Sequence, residues 1–395
     1  MFALWSALSG GKVRKSVGVA VCALAVLLSG CLVNQGELWA SDKLPITSPT
    51  TRSPSVRDIS YGPNALHQLD LYLPATPVRG VIVWFHAGGW CCGEKADIDP
   101  LILSTIDDGY AVVSANYRLV PQATAEEQLA DVDRVIRFVK LYRGFWWSGT
   151  GKLIVAGGSA GGTLALLAAA APEVFRGPDL GFLAGIDPHV DAVISLVGPS
   201  DLRSYIDGTI GGLGPPLGEG FLGCSNRGSQ WPTTTTSTTS TTLTTLGLTS
   251  MSGVASPETR HASFFPTASS STIDFESRNA LVAVEPAIGR ENVFVPATPM
   301  PPCDPARVLK FSPLFWAALT VFLGGSQLPP AYLAYGDQDW LVPPSSQGIV
   351  LHDWWAAGGN WFTTYYDNPP NGSHNLSFDI NATAFSLWLA AFASD

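Results

Sequence analysis

A serine set among glycines, between an apolar run and a run of helix formers, is the first feature of the chain that could do chemistry. The segment Gly157-Gly158-Ser159-Ala160-Gly161 has the pattern G-x-S-x-G. In that pattern a strained strand-to-helix turn projects the serine hydroxyl from a sheet towards a base, and the outer glycines let the strand and the helix pack closely. We therefore predict that Ser159 is a nucleophile.

The same glycine cluster does not fit the common phosphate-binding loops. A dinucleotide fingerprint counted from Gly157 needs glycine at its third position, which is Ser159. A P-loop needs Lys and then Ser or Thr after its last glycine, whereas Gly162 is followed by Thr163 and Leu164. Both phosphate-binding interpretations are excluded.

The base for this serine has to be one of six histidines. These are His67, His86, His189, His261, His352 and His374. His261 falls in a Thr- and Ser-rich stretch, and His352 falls inside a predicted helix that would hold it away from the strand ends. His374 lies in a Gly-, Pro- and Asn-rich loop after the last predicted strand, and such a loop can bring an imidazole back over Ser159. We predict that His374 is the base.

The acid that orients this imidazole has two candidates on one turn. Asp337 and Asp339 both follow a predicted strand that ends at Gly336. Asp339 is preferred because the turn leaves it beyond the strand end, where a histidine loop can reach it. Asp201 is a weaker alternative, and it could instead cap the start of a helix.

Backbone N–H groups that could stabilise an oxyanion are expected at two places. Ala160 begins the predicted helix, so its N–H has no acceptor within that helix. A second donor loop is expected at "FHAGGW", where Gly88 and Gly89 follow a strand. His86 would orient that loop rather than act in catalysis, although a strand-end histidine can also be a plain core residue.

Strands and helices that alternate along the chain predict how these residues are positioned. The predicted strands are Leu69–Pro74, Val81–His86, Tyr110–Tyr117, Leu153–Gly158, Asp191–Val197, Ala331–Gly336 and Trp361–Tyr366, and the predicted helices are Glu126–Tyr142, Ala160–Ala171, Ser345–Ala357 and Ala382–Phe392. This alternation indicates an α/β fold with a mostly parallel sheet covered by helices on both faces. Sites in such sheets lie at the carboxyl ends of the strands.

The N-terminus reads as an export segment followed by a tether. Three basic residues precede the apolar stretch Ser16–Leu28, which is short for a membrane span and typical of a signal peptide. The stretch ends in Leu28-Ser29-Gly30-Cys31, which resembles the lipobox of bacterial lipoproteins. That resemblance implies a signal peptide over residues 1–30, a lipid on Cys31, a flexible tether over 31–56, and a chain anchored to a bacterial membrane in the cell envelope. An ordinary secretory signal is the alternative.

A long segment interrupts the strand-and-helix alternation after the strand predicted at Asp191–Val197. Residues 233–250 contain 14 Thr or Ser among 18, a composition that cannot bury a core. We interpret residues 213–302 as an insertion, which could be a tolerated surface segment, a lid or a glycan-bearing loop. Cys224 and Cys303 bracket it, and in an exported chain they could form a disulfide at its base.

Cysteine spacing and net charge argue against a metal ligand and a nucleic-acid partner. The adjacent cysteines Cys91 and Cys92 lack the spacing of metal ligands, so no metal is indicated. The formal net charge is -10, and no long basic run follows the N-terminus, which argues against a nucleic-acid partner. With 46% apolar and 14% charged residues the chain can bury a sizeable core.

Six ordered motifs make the chain resemble one family. They are "YGPNALHQLDLYLP", "VIVWFHAGGWCCGEK", "SANYRLVP", "AGGSAGG", "LPPAYLAYGDQDWLVP" and "GSH". In this order they resemble the carboxylesterases of the α/β-hydrolase fold, near the hormone-sensitive-lipase-like and BD-FAE-like esterases. The resemblance covers about residues 57–200 and 310–395. Ala87 departs from the family's H-G-G-G, but Gly88 and Gly89 are intact.

The resemblance implies an α/β-hydrolase domain over 57–395 and a reaction. Ser159, Asp339 and His374 would hydrolyse small to medium apolar esters through an acyl-enzyme, without a cofactor. A peptidase or amidase of the same fold is an alternative, and so is a hydrolase-like surface lipoprotein without catalysis. Neither the natural ester nor the oligomeric state follows from these residues.

Overall fold

A sheet of eight strands organises the described part of the chain. The computed structural model describes residues 52–147, 151–178, 181–210, 214–225, 300–324, 328–359, 362–374 and 380–392. The strands are β1 Val56–Ser60, β2 Gln68–Tyr72, β3 Gly80–Phe85, β4 Tyr110–Ala115, β5 Lys152–Gly158, β6 Ala192–Leu196, β7 Ala331–Ala334 and β8 Thr364–Asp367. Their spatial order is β1-β2-β4-β3-β5-β6-β7-β8. Strands β1 and β2 are antiparallel to their neighbours, and every other pairing is parallel.

Helices connect the strands and cover both faces of the sheet. They are α1 Pro100–Ser104, α2 Ala125–Trp146, α3 Ala160–Ala170, α4 Arg203–Ile206, α5 Gly214–Leu222, α6 Pro305–Lys310, α7 Pro313–Leu323, α8 Ile349–Gly358 and α9 Ala382–Phe392. A 3-10 turn, Gly181–Leu183, precedes β6, and a π turn, Pro344–Gly348, precedes α8. None of the helices in the described ranges has the length and apolar character that crossing a bilayer requires.

Alternating side chains of the central strands divide the core into two layers. In β3, Val83 and Phe85 join the layer that includes residues of α2, α3, α7 and α8, whereas Ile82 and Trp84 join the layer that includes residues of α1 and α9. All six β3 residues are buried. A strand buried on both faces is expected at the centre of a parallel sheet. The predicted α/β class and mostly parallel sheet are confirmed.

Strand β8 and helix α8 begin more than one residue later than predicted. Strand β8 starts at Thr364 rather than at Trp361, because Phe362 and Thr363 form a turn. The helix predicted from Ser345 starts at Ile349, after the π turn. Gln347 is buried in that turn, and its Oε1 accepts hydrogen bonds from the N–H groups of two residues that follow β6. These bonds join the turn before α8 to the end of a neighbouring strand.

The first part of the predicted insertion packs on the core. Residues 214–225 were assigned to the insertion, but they form α5 and a following turn, and Phe221 and Leu222 are fully buried. Cys224 and Cys303 are also buried and form a disulfide bond, with their Cα atoms 4.8 Å apart. This end of the predicted insertion thus packs on the core through its apolar side chains, and the bounds of the insertion stay a prediction. Residues 226–299 and the predicted signal peptide with Cys31 lie outside the described residues.

Candidate active site

The carboxyl ends of five neighbouring strands meet at one edge of the sheet. Phe85 of β3 is level with Gly157 of β5, and Gly158 is level with Leu196 of β6. Leu196 is in turn level with Ala334 of β7, which is level with the last residue of β8. The segments after β3, β5, β7 and β8, which carry the predicted site residues, therefore leave the sheet side by side.

Ser159 occupies a strained turn between β5 and α3. Its φ is 48° and its ψ is -115°, a backbone conformation that costs a non-glycine residue about 1–3 kcal/mol. Its N–H donates to the carbonyl of Leu196 at 2.8 Å, and its carbonyl accepts from the N–H of Thr163 at 3.1 Å. The turn is thus fixed by the neighbouring strand on one side and by the first helical turn on the other.

The two outer glycines of the motif are required by close backbone contacts. A Cβ atom at Gly157 would lie 2.2 Å from the carbonyl of Gly161, and one at Gly161 would lie 2.0 Å from the carbonyl oxygen of Phe85. Contacts this short with backbone atoms leave no room for a side chain. They also place the start of α3 directly against the end of β3, so the loop after β3 runs beside Ser159.

His374 lies between Ser159 and Asp339. Its Nε2 is 2.9 Å from Ser159 Oγ, and its Nδ1 is 2.8 Å from Asp339 Oδ2. A carboxylate can only accept a hydrogen bond, so Nδ1 carries the ring proton and Nε2 is left to accept the hydroxyl proton of the serine. The structure thus brings together the three side chains predicted from the sequence. The predicted base lies between the predicted acid and the predicted nucleophile.

Asp339 is held from its other side by backbone groups. The side chain is buried, and its Oδ1 accepts from the N–H groups of Leu341 at 2.9 Å and Val342 at 2.8 Å. Its orientation is therefore fixed before His374 contributes a third hydrogen bond. By contrast Asp337 is exposed, and Asp201 forms an ion pair with Arg203 and accepts from its N–H. Asp201 thus accepts the first N–H group of α4, although Leu202 is the N-cap residue of that helix.

The loops that carry Asp339 and His374 pack directly on each other. The N–H of Gln338 donates to the carbonyl of Gly372 at 2.9 Å, and a Cβ at Gly336 would lie 2.2 Å from that carbonyl oxygen. The close approach of the two backbones thus fixes the position of Asp339 relative to His374. Glycines at both positions were visible in the sequence, but nothing local indicated that they meet.

His86 is buried where the chain leaves β3. Its Nδ1 lies 2.7 Å from the carbonyl of Ala87, and its ring stacks on Tyr117 with centroids 4.4 Å apart. The Tyr117 hydroxyl donates to the His86 carbonyl at 3.0 Å. Burial lowers the pKa of His86 to about 4, so the imidazole is neutral at ordinary pH. These contacts fit the predicted role of orienting the loop, and that role stays a prediction.

The loop after His86 has a backbone that suits glycine. Gly88 has a φ of 124° and Gly89 a φ of 57°. The Gly88 carbonyl accepts from the N–H groups of Cys91 at 3.2 Å and Cys92 at 3.0 Å, which closes a turn. The turn follows the end of β3, which packs against the start of α3 next to Ser159. The N–H of Ala160 lies in the first turn of α3, where it has no acceptor within the helix. Assignment of Gly88, Gly89 and Ala160 as oxyanion donors stays a prediction.

Sequence reasoning missed the helix that packs on this loop. Leu217 of α5 contacts Gly89, where a Cβ would lie 2.6 Å from the Leu217 Cδ2 atom. Phe221, one helical turn later, stacks on Trp90 with ring centroids 4.5 Å apart. The spacing of Leu217 and Phe221 is that of one helix face, and it is the signal that could have placed α5 in the core.

Tyr205 of α4 was also missed. Its hydroxyl donates to the carbonyl of Leu341 at 2.6 Å, and the N–H of Leu341 donates to Asp339. Tyr205 thus supports the turn that holds the acid, across a separation of 136 residues. No motif in the sequence indicates this pairing. Within the described ranges, His, Cys, Asp and Glu side chains do not gather in any group of three or more that could hold a metal ion.

Known proteins are similar to this chain in part of the sequence and in overall fold. Residues 69–211 match the BD-FAE family model. The probable carboxylic ester hydrolase LipM of Mycobacterium tuberculosis is 31% identical over 159 residues, which are 38% of this chain and 36% of LipM. The chain thus spans little more than a third of the length of that relative.

Solved structures extend the similarity of fold to most of the chain. A truncated carbohydrate esterase from gut microbiota has a TM-score of 0.55 at 17% identity, covering 87% of this chain and 99% of its own. The butyrate-bound esterase Est2 of Thermogutta terrifontis has a TM-score of 0.51 at 17% identity, covering 85% and 94%. At this identity the likeness concerns the fold. Residues 69–211 are thus similar to the BD-FAE family, and the chain has the α/β-hydrolase fold of the solved esterases.

Proposed function

We propose that this chain is a serine hydrolase of carboxylic esters, with Ser159 as nucleophile, His374 as general base and Asp339 as the acid that orients it. The observation that carries the proposal is the pair of distances at His374, 2.9 Å to Ser159 Oγ and 2.8 Å to Asp339 Oδ2. A nucleophile within hydrogen-bond reach of a base, itself oriented by a third group, is the arrangement that nucleophilic catalysis requires. The similarity of this chain to the probable carboxylic ester hydrolase LipM and its match to the BD-FAE family model support an ester as the substrate.

The proposed reaction has two halves that use the same three side chains. His374 Nε2 takes the hydroxyl proton while Ser159 Oγ attacks the ester carbonyl, and the buried Asp339 carboxylate stabilises the imidazolium. N–H groups of Ala160 and of the loop at Gly88 and Gly89 stabilise the oxyanion. The intermediate collapses, and His374 returns the proton to the leaving alcohol. Water then attacks the acyl-enzyme by the same route and releases the acid.

Hydrolysis of p-nitrophenyl acetate, butyrate and decanoate by the full chain, beside Ser159→Ala, tests the proposal. We expect the wild type to turn over a short or medium ester and the variant to lose about 10⁴-fold or more in kcat, since loss of the nucleophile removes the covalent route. A fluorophosphonate should label the wild type at Ser159. If neither turnover nor labelling occurs, the proposal is wrong and a non-catalytic, hydrolase-like protein takes its place. A butyryl anilide in parallel separates an esterase from an amidase of the same fold.

We also propose that the enzyme works outside the cytoplasm, anchored to a bacterial membrane by a lipid on Cys31. The support is the basic and apolar leader and the Leu28-Ser29-Gly30-Cys31 segment. Labelling of the expressed chain with radioactive palmitate tests it. The wild type should incorporate label and appear in the membrane fraction, and Cys31→Ser should do neither. Incorporation that is equal in both proteins contradicts the anchor.

A further inference from the structure

Two adjacent thiols lie in the loop that carries the proposed oxyanion donors. Cys91 Sγ and Cys92 Sγ are 3.0 Å apart, and both residues are half-buried. Only Trp90 separates them from Gly88 and Gly89 in the chain. The proposed mechanism uses neither thiol.

Both cysteines are joined to Gly88 through its carbonyl. That oxygen accepts the N–H of Cys91 at 3.2 Å and the N–H of Cys92 at 3.0 Å, and it also accepts the Cys91 thiol at 3.5 Å. A Cβ at Gly88 would lie 2.1 Å from the Cys92 carbonyl oxygen, so the two backbones are in direct contact. A displacement of the Cys91–Cys92 backbone is therefore transmitted to Gly88.

We propose that Cys91 and Cys92 form a dithiol modification site, which low-molecular-weight disulfides oxidise to a disulfide between the two neighbouring residues. Closure of this ring displaces Gly88 and Gly89 and lowers the rate of ester hydrolysis. The effect on rate rests on the proposed function, whereas the oxidation itself does not.

The oxidation is two successive thiol–disulfide exchanges. The thiolate of one cysteine attacks a sulfur of the external disulfide, forms a mixed disulfide and releases one external thiol. The thiolate of the other cysteine then attacks the protein sulfur of that mixed disulfide and releases the second external thiol. The two cysteines lose two electrons and two protons in total, and the external disulfide gains them. Sulfur atoms already 3.0 Å apart favour the second, intramolecular exchange.

Ring closure requires the backbone to move. Adjacent Cα atoms across a trans peptide are about 3.8 Å apart, whereas disulfide-linked residues usually have Cα atoms about 4.4–6.8 Å apart. Since the peptide bond fixes the shorter distance, the ring forms under strain, and we expect the backbone torsions of both cysteines to change and to weaken their N–H bonds to the Gly88 carbonyl. Strained disulfides are also readily reduced, which makes the modification reversible.

The surroundings of the pair set the pH at which it reacts. Burial, reinforced by the neighbouring Cys92, raises the pKa of the Cys91 thiol to about 12. Since the thiolate is the attacking species, the step that uses Cys91 is slow at neutral pH and accelerates as the pH rises. An exported enzyme would meet external disulfides in the compartment where such bonds persist.

The test is oxidation of the full-length protein with oxidised glutathione at pH 8.5, followed by capping of thiols, tryptic mapping and kinetics. Trypsin cuts after Arg79 and Lys95 and releases residues 80–95, which contain both thiols and no other cysteine. We expect this peptide to become lighter by two hydrogen atoms and to resist alkylation. In parallel kcat should fall about tenfold or more, with KM changed less than about threefold, since lost oxyanion stabilisation acts on the transition state. Brief treatment with reductant should restore both.

The matched control is the double variant Cys91→Ser/Cys92→Ser, which retains the Cys224–Cys303 disulfide. Its kcat should not respond to oxidised glutathione. If the peptide carries glutathione instead of an internal disulfide, or if it closes with no change in kcat, the inference is wrong. If the double variant does not fold, the parallel loss and recovery of peptide mass and kcat in the wild type decides the question. An enzyme inactive before oxidation contradicts the proposed function alone, because the peptide mass still reports whether the pair closes.

Discussion

His374 Nε2 lies 2.9 Å from Ser159 Oγ, although 215 residues separate the two in the chain. The serine leaves the sheet after β5 and the histidine after β8, with β6 and β7 between them. The contact depends on a strained turn at one end and on a backbone-to-backbone contact of two loops at the other. Each of these supports can be tested separately.

Replacement of Asp339 by Asn tests the acid. The variant keeps an oxygen for the N–H groups of Leu341 and Val342, but its amide cannot accept the Nδ1 proton of His374, so the imidazole is held in the wrong tautomer. We expect kcat on p-nitrophenyl butyrate to fall about 10⁴-fold with little change in KM. The control is Asp337→Asn on the same turn, whose side chain is exposed. A small effect at Asp339, or equal effects at both positions, contradicts the assignment.

Replacement of Gly161 by Ala tests the packing beneath the nucleophile. The new Cβ would lie 2.0 Å from the Phe85 carbonyl oxygen, a backbone atom that cannot move without shifting β3. We expect the free energy of unfolding to fall by about 3 kcal/mol or more, measured by urea denaturation. Gly144→Ala is the matched control, because Gly144 lies in α2 with nothing within 4 Å of its new Cβ. That change should stabilise the protein by about 0.5–1 kcal/mol. Similar effects at the two glycines would show that the contact is not structural.

Replacement of Gly89 by Ala tests the loop after β3. Alanine at this position would adopt an unfavourable φ of 57°. Its methyl group would also clash with the Leu217 side chain. If Gly89 contributes an oxyanion donor, its displacement should lower kcat by about 10²-fold. Adding Leu217→Ala should restore part of the loss, because it removes the steric contact and leaves the backbone strain. Full activity in the Gly89→Ala enzyme would remove Gly89 from the proposed donors.

The buried His86 makes a specific contribution to the pH dependence of stability. Burial lowers its pKa from 6.5 to about 4. Below pH 6.5 the unfolded chain binds a proton here that the folded chain does not bind until about pH 4, so the free energy of unfolding falls as the pH is lowered through that window. Across the whole window the loss is about 3 kcal/mol.

Urea denaturation of wild type and His86→Gln at pH 7 and pH 4.5 measures this contribution. Other groups titrate in both proteins, so the difference between the two pH dependences isolates His86. The wild type should lose about 2–3 kcal/mol more than the variant on acidification. Parallel pH dependences would mean that the His86 imidazole is protonated inside the fold.

The parts of the site that sequence reasoning predicted are those written in short, local patterns. Ser159 lies in a five-residue motif, and His374 lies in a loop whose Gly and Pro residues exclude a strand or helix. Asp339 was preferred to Asp337 because of its position beyond the strand end, and the structure places it, not Asp337, beside His374. The alternation of strands and helices was sufficient for the order of the layers.

The parts that sequence reasoning missed depend on contacts between distant segments. Tyr205 supports the acid turn through Leu341, and Leu217 packs on Gly89 from a segment predicted to be an insertion. The low-complexity stretch after α5 led us to place that segment in the insertion, although the apolar residues of α5 have helical spacing. Pairing of this kind is set by how the helices pack on the sheet, which no local pattern records.

The disulfide between Cys224 and Cys303 has a consequence for a protein cut by a protease. A single break at any peptide bond between these cysteines, which are 79 residues apart, yields two polypeptides that remain covalently joined. One carries Ser159, and the other carries Asp339 and His374. The nicked protein would migrate as one species on a non-reducing gel and as two after reduction. The proposed nucleophile and base would then belong to different chains, held in one molecule by a single sulfur–sulfur bond and the packing of the shared sheet.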